Sequence, residues 1–175
     1  MTRGILAYLN NEAQLAGILG HEIGHVTARH TASQISKSQL TMLGLELGKA
    51  LSEDFRKIAP LAEFGVGMLF LKFSRDNERQ SDSLGVEYAS KAGYDAEEMS
   101  GFFQTLKRLS PQSGRAVLPD WFSTHPDPAD RVDAVRKKAD SWKKRLPGKE
   151  FTVEKNQYFA SIDNIVFGKD PRQGY

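Results

Sequence analysis

Two histidines and a glutamate within residues 21–25 (HEIGH) have the types and spacing of a zinc-binding motif. On a helix of 3.6 residues per turn, His21 and His25 share one face, roughly 6 Å apart along the axis, so both imidazoles can reach one metal ion. Glu22 lies about 100° round the helix, where its carboxylate can reach a water at the metal. That is the position of a general base.

A chance occurrence is the alternative, because the pattern fixes only three residues and also fits an exposed helix with two unconnected histidines. Apolar residues at helical spacing flank the motif and predict a largely buried helix. They are Leu15, Ala16, Ile18, Leu19, Ile23 and Val26. Buried imidazoles need a polar partner, so the metal-binding interpretation is favoured.

Composition narrows the possible chemistry. The 175 residues suffice for one domain with a core, and 39% hydrophobic with 26% charged residues is typical of a globular protein. A formal charge of +2 gives no argument for a nucleic-acid partner. Because the chain has no cysteine, thiolate ligands, disulfides and thiol nucleophiles are excluded, and a metal must be held by His, Asp or Glu.

The start of the chain contains no signal peptide, and no apolar run has the roughly 18 residues of a spanning helix. Residues 2–9 (TRGILAYL) are typical of the end of a strand or a turn that leads into the motif helix. We therefore expect a fragment that lacks its targeting segment and its upstream strands.

Apolar periodicity and capping signals predict helices over residues 12–33, 39–58, 61–92, 96–109 and 127–146. Asn11 and Asp127 are the expected N-terminal caps, Pro60 separates two helices and Gly93 ends one. Three glycines in the first helix predict close approach of another backbone, namely Gly17, Gly20 and Gly24. Residues 151–175 are too apolar for a free tail.

The third metal ligand is not a nearby histidine. The extended motif with a third histidine requires glycine at position 28 and histidine at 31, where this chain has Ala28 and Thr31. His30 lies five residues past His25, about 140° round a continuous helix, and is predicted to be exposed. The ligand is therefore expected to be a carboxylate from another helix.

Residues 74–82 (SRDNERQSD) are the richest source of such a carboxylate. Glu78 and Asp82 are four residues apart and share a helix face. One of them can bind the metal while the other accepts the N–H of a ligating histidine and fixes its tautomer. An exposed salt bridge is the alternative for either residue, and spacing alone does not decide.

Taken together, these motifs resemble the HtpX and CAAX-prenyl-protease family of zinc metallopeptidases, particularly its soluble bacterial, BepA-like (YfgC-like) members. The similarity runs over residues 3–174. It rests on HEIGH at residues 21–25, SRDNERQSD at residues 74–82, GYD at residues 93–95 and STHP at residues 123–126 followed by Arg131.

This resemblance implies a role for each motif residue. The implied ligands of one zinc ion per chain are His21, His25 and Glu78. Glu22 would be the general base, and Asp82 would accept the N–H of a ligating histidine. Ser81 replaces the usual alanine before that aspartate.

Two further residues, His125 and Arg131, correspond to the family's loop histidine and following arginine. Both could stabilise the oxyanion formed when water attacks a carbonyl. His125 could instead occupy the open zinc position and hold the enzyme closed. These two roles predict different distances from the metal ligands.

The predicted fold is mainly α, a zincin-like metallopeptidase domain with the HExxH motif on its active-site helix and a small or truncated β-sheet. Residues 1–150 form the predicted catalytic domain, and residues 151–175 pack on it or lead to a missing region. The family's edge strand upstream of the motif helix is expected to be represented only by its end, residues 3–7.

The predicted activity is zinc-dependent endopeptidase hydrolysis of protein substrates, with misfolded or stalled envelope proteins as clients in the bacterial periplasm or cell envelope. A proteolytically silent, zinc-containing chaperone or adaptor is one alternative. A membrane-peripheral binding module is another, which would use residues 61–73 and the basic end of the 127–146 helix. For that basic end, a solvated face is the favoured interpretation over an anionic lipid contact.

Overall fold

The computed structural model describes residues 3–70, 72–109, 124, 125, 131–163 and 165. This part of the chain is mainly helical, as predicted. A 3-10 helix, Arg3–Tyr8, comes first, and a second, Ala96–Glu98, precedes α5. The α-helices are α1 (Glu12–Thr27), α2 (His30–Leu51), α3 (Glu53–Leu69), α4 (Arg75–Ala92), α5 (Met99–Leu109), α6 (Arg131–Arg145) and α7 (Lys155–Ile162).

The expected small sheet is not found among the described residues. They contain one isolated parallel bridge, between Tyr94 and Thr152. Residues 3–7, predicted to end a strand, lie in the first 3-10 helix instead. Ile5 and Leu9 are buried whereas Ala7 between them is exposed, so burial does not alternate as it would in a strand.

Three helix boundaries differ from the predictions. The motif helix does not continue to residue 33, because Arg29 adopts a left-handed conformation with φ 55° and a new helix begins at His30. Pro60 lies inside α3 and does not separate two helices. The predicted helix over residues 61–92 is two helices, since the Ser74 side chain accepts a hydrogen bond from the Asn77 backbone N–H and caps a new start.

Other boundary signals are confirmed. The Asn11 side chain accepts from the Gln14 backbone N–H at the start of α1. Gly93 ends α4 with φ 99°. The helix predicted over residues 96–109 is found as the second 3-10 helix and α5, and Met99 and Phe103 of α5 are fully buried. The predicted cap Asp127 lies outside the described residues.

Helices α1 and α4 approach each other more closely than side chains would allow. A Cβ atom at Gly20 would lie 2.9 Å from the Gly85 carbonyl oxygen, and one at Gly24 would lie 3.1 Å from the Ser81 Cα. The predicted approach of a second backbone is therefore confirmed at these two glycines. Close contact between the helices is what brings the motif of α1 within reach of the acidic residues of α4.

Replacing Gly85 with alanine is expected to destabilise the protein by about 1–3 kcal/mol, because the new methyl group would lie 2.9 Å from the His21 backbone nitrogen. Urea unfolding of the metal-free chain measures this change. Gly44→Ala is the matched control, since nothing lies within 4 Å of a Cβ there. Equal unfolding midpoints for the two variants would contradict the close crossing.

The hydrophobic core lies between α1, α4, α5 and α6. Its largest fully buried side chains include Phe102, Phe103, Ile18, Met99 and Leu106. The C-terminal helix α7 lies against this core through Tyr158, whose hydroxyl donates to the Leu6 carbonyl oxygen at 2.7 Å. Residues 164 and 166–175 lie outside the described part of the chain.

Helices α2 and α3 form a hairpin that leaves much apolar surface exposed. Its exposed residues include Leu40, Leu43, Leu47, Leu51, Ile58, Leu61 and Phe64. The outer face of α1 is also exposed, at Leu19, Ile23 and Val26, so the motif helix is less buried than predicted. No helix among the described residues has the length and apolarity needed to cross a bilayer.

Candidate metal centre

Four potential ligand groups converge where α1 crosses α4. His21 and His25 come from α1, Glu78 from α4 and His125 from the segment before α6. All four side chains are buried, and one ligand atom from each lies within 4.8 Å of the others. The sequence hypothesis named the first three as ligands, and the structure adds His125 to the same group.

The distances between the ligand atoms suit a small cation. The Nε2 atoms of His21 and His25 are 3.0 Å apart. The Glu78 carboxylate lies 3.3 Å from His25 Nε2 and 3.7 Å from His21 Nε2. Two ligands of a tetrahedral zinc, each about 2.1 Å from the ion, are separated by about 3.4 Å. The observed distances bracket this value.

The tautomer of His21 also favours metal binding. Its Nδ1–H donates to the Asp82 Oδ1 atom at 2.9 Å, which leaves the Nε2 lone pair directed at the cluster. This contact is the one that the sequence hypothesis described for Asp82. The His21 Nε2 atom lies 3.0 Å from the His25 Nε2 atom and close to the Glu78 carboxylate. Two imidazole nitrogens and a carboxylate together are ligands that suit a cation.

Arg131 contacts the two acidic residues of α4. Its Nε and Nη2 donate to the two Asp82 oxygens at 2.6 and 2.5 Å, and its Nη1 donates to Glu78 Oε2 at 2.7 Å. The guanidinium carbon lies 4.2 Å from the centre of the Phe103 ring. These contacts favour a role in holding both carboxylates over the predicted role in oxyanion stabilisation, because the donors already face carboxylates.

His125 is positioned as a member of the ligand group. Its Nδ1 lies 2.8 Å from Glu78 Oε1 and 3.5 Å from His21 Nε2. Of the two roles left open by the sequence, these distances favour occupation of the fourth metal position. The backbone N–H of Phe73 donates to the Thr124 carbonyl oxygen at 3.0 Å, so the segment before α4 is tied to the residue preceding His125.

Glu22 is placed beside the cluster without belonging to it. Its carboxylate lies 3.9 Å from His125 Nε2, and 30% of its side chain is exposed. Solvent can therefore reach a carboxylate that borders the ligand atoms. This is the arrangement needed by a group that exchanges protons with water.

His30 is the residue that sequence reasoning missed, and the prediction of an exposed side chain is wrong. It is 4% exposed, and its Nδ1 lies 3.0 Å from His25 Nδ1. The left-handed turn at Arg29 redirects the chain, so the count of 100° per residue from His25 no longer applies. Glycine or asparagine usually occupies such a conformation, so the arginine at position 29 does not indicate the turn.

Burial and the ion pairs shift the pKa values of the buried groups. Burial lowers the pKa of His21 below its usual range, and Asp82 opposes part of that effect. Burial alone would raise the pKa of Asp82, but hydrogen bonds from His21 and Arg131 hold it below its ordinary value. The pKa of Glu78 is also lowered, against burial, by a hydrogen bond from His125 and by the charge of Arg131.

These shifts predict that acid destabilises the metal-free protein in two stages. Below pH about 6.5 the unfolded chain binds a proton at His21 more readily than the folded chain does, so stability falls. Below pH about 4 the same holds for Asp82 and Glu78, whose folded pKa values are lowered. Urea midpoints measured with chelator between pH 8 and pH 3 should decrease throughout. Midpoints that rise between pH 6.5 and pH 5 would contradict the buried neutral state of His21.

Comparison with known proteins identifies the class. A family model described as peptidase family M48 matches residues 1–139. The chain is 31% identical over 148 residues to the beta-barrel assembly-enhancing protease of Yersinia pestis, covering 79% of this chain and 30% of that protein. It is 27% identical over 135 residues to metalloprotease YcaL of Escherichia coli K12, covering 76% of this chain and 52% of the relative.

A mitochondrial relative extends the same class beyond bacteria. The mitochondrial metalloendopeptidase OMA1 of Arabidopsis thaliana is 32% identical over 126 residues, which cover 70% of this chain and 24% of that protein. YcaL and OMA1 are named as metal-dependent proteases, and the Yersinia pestis relative is named as a protease. The chain belongs to peptidase family M48. It spans less than a third of the length of the beta-barrel assembly-enhancing proteases that it matches.

Proposed function

We propose that this chain is a zinc-dependent endopeptidase domain whose metal ligands are His21, His25 and Glu78. The observation that carries the proposal is the convergence of two imidazole Nε2 atoms 3.0 Å apart with a buried carboxylate 3.3 Å from one of them. His, His and Glu are the ligand set of one established class of catalytic zinc site. The motif on α1 therefore acts, in this proposal, as the active-site helix of a zincin-like domain.

A zinc ion held there would supply Lewis-acid chemistry, polarising a peptide carbonyl and lowering the pKa of a water to near neutrality. Glu22 accepts the proton of the attacking water at its carboxylate and later delivers it to the leaving amine. Asp82 orients the His21 ring through the Nδ1–H hydrogen bond. Arg131 fixes the Glu78 and Asp82 carboxylates in place.

His125 occupies the side of the cluster next to Glu22. A peptide carbonyl approaching both the metal and the base would need this space. We therefore assign the described arrangement to a closed state, in which His125 completes the ligand set and must be displaced before hydrolysis.

Hydrolysis of casein tests the proposal. The zinc-loaded chain should cleave casein, lose this activity with a chelator such as 1,10-phenanthroline and regain it when zinc is restored. If the chain does not cleave casein, the same assay on a longer natural protein that contains it shows whether the cause is the limited length of the chain or the absence of peptidase activity. Absence of cleavage by both zinc-loaded proteins would favour the silent adaptor instead.

The names of two relatives support protein substrates in the bacterial envelope. The matched proteases of Yersinia pestis and Escherichia coli K12 are named for enhancing β-barrel assembly, and β-barrel proteins of bacteria reside in the outer membrane. We propose protein clients in the periplasm or cell envelope for this chain as well. Fractionation of cells that produce the natural protein, with periplasmic and membrane markers, measures its location.

A second candidate function, peripheral membrane contact, is supported by the apolar surface of the α2–α3 hairpin. Leu51, Leu61 and Phe64 are 87%, 76% and 68% exposed. Large exposed apolar patches are typical of partner or membrane contacts. Sedimentation with anionic liposomes at low and high salt tests this candidate, and binding that persists at high salt would indicate apolar insertion.

A further inference from the structure

A chain of hydrogen bonds leads away from the second motif histidine to α4. His25 Nδ1 lies 3.0 Å from His30 Nδ1, and His30 Nε2 lies 3.0 Å from the Gln80 amide oxygen. The Ser81 hydroxyl is 3.3 Å from the same His30 Nδ1. Three of the residues that form these hydrogen bonds are buried, namely His25, His30 and Ser81.

The donors and acceptors in this series of hydrogen bonds fit one arrangement of protons. The Gln80 oxygen can only accept, so His30 Nε2 carries the hydrogen. A neutral His30 then has a lone pair on Nδ1, which accepts from His25 Nδ1–H and from the Ser81 hydroxyl. His25 consequently keeps its Nε2 lone pair, which is directed at His21 Nε2 and Glu78.

We propose that His30 is a positioning residue that, together with Gln80, holds the His25 ring in the tautomer and orientation needed for metal binding. The inference rests on the proposed metal site and adds a residue to which the motif assigns no role. His21 is oriented by a carboxylate and His25 by a neutral imidazole, so the second contact adds no charge to the site. The turn at Arg29, which begins a new helix at His30, makes this contact possible.

The donor-to-acceptor direction of these hydrogen bonds decides which of its two tautomers His25 adopts. If His30 presented Nδ1–H, His25 would accept at Nδ1 and carry its own hydrogen on Nε2, the atom that faces His21 and Glu78. That tautomer cannot bind a metal through Nε2. Gln80 selects against it by accepting from His30 Nε2, even though the Gln80 residue itself is exposed.

Zinc affinity of the full chain, measured by competition with a chromophoric chelator, tests the proposal. His30→Ala should weaken zinc binding by about 10–100-fold, the usual cost of removing the partner of a ligating histidine. His30→Asn should retain most of the affinity, because its side-chain oxygen can take the place of Nδ1 and accept from His25 Nδ1–H. If His30 only filled space, the zinc affinities of His30→Ala and His30→Asn would not differ in this way.

A matched pair at position 80 keeps the test independent of folding at the buried histidine. Gln80→Glu preserves an acceptor for His30 Nε2–H and should bind zinc as the wild type does. Gln80→Leu removes the acceptor and should bind several-fold more weakly. Nitrogen-15 NMR of the metal-free chain should show the hydrogen of His25 on Nδ1 in the wild type and in Gln80→Glu.

Each result has a defined consequence. Equal zinc affinity of wild type, His30→Ala and Gln80→Leu would overturn the positioning role while leaving the metal site intact. Detection of the hydrogen on His25 Nε2 in the metal-free wild type would overturn it as well. A wild-type chain that binds no zinc would refute the metal site itself, and the two failures are thereby distinguished.

Discussion

Replacing Glu22 with glutamine should lower casein cleavage by about 10²–10⁴-fold, the usual contribution of a positioned general base, and should leave zinc bound. The amide has the size of the carboxylate but cannot accept the proton of water at neutral pH. Glu22 borders the ligand group without belonging to it, so its loss should not release the metal. Turnover with saturating casein and zinc content of the same sample give the two required numbers.

Glu46→Gln is the control for this substitution. Glu46 is an exposed residue of α2 whose side chain pairs with Lys49, and its replacement should leave turnover unchanged. Full activity of a zinc-loaded Glu22→Gln protein would remove Glu22 from the mechanism. Loss of activity accompanied by loss of zinc would instead make Glu22 part of the metal site.

Replacing Arg131 with methionine is expected to destabilise the metal-free protein by about 3–5 kcal/mol. The reason is that Glu78 and Asp82 are buried carboxylates, and each would lose a cationic donor at 2.7 Å or less. Removing one partner of a buried ion pair leaves an uncompensated charge, which costs this much in other proteins. Urea or guanidinium unfolding with chelator present measures the difference.

Arg136→Met is the matched control on the same helix. Arg136 is exposed, and its Nε donates to the Ser100 hydroxyl at 3.3 Å, so its replacement should change stability by less than about 1 kcal/mol. If the two variants unfold at the same denaturant concentration, Arg131 does not hold the carboxylates as described.

Local spacing was sufficient to predict much of the candidate site. A separation of four residues on one helix places His21 with His25, and the same separation places Glu78 with Asp82. The zero cysteine count limited the ligand types. Family resemblance then paired the two helices, which spacing within either helix could not do.

Tertiary geometry explains what the sequence did not predict. His30 reaches His25 only because Arg29 takes a positive φ, a conformation that arginine does not signal. The contacts of Arg131 with Asp82 and Glu78 likewise depend on how α6 crosses α4. Neither position follows from a pattern along one helix.

Helix exposure and helix ends were also poorly predicted, for a common reason. The apolar residues Ile23 and Val26 have the spacing of a buried face, yet 51% and 76% of their surfaces are exposed. Periodicity identifies an apolar face but does not say what packs against it. Likewise the Ser74 cap divides a continuous helical pattern in two, because a capping hydrogen bond competes with continuation of the helix.

Zinc content of Glu78→Gln after dialysis against a weak chelator tests the central claim most directly. The substitution preserves side-chain size but removes the anionic ligand that lies 3.3 Å from His25 Nε2. The wild type should retain one zinc ion per chain, and the folded variant should lose it because one of the three protein ligands is gone. A folded Glu78→Gln protein that retains zinc as fully as the wild type would contradict the proposed metal site.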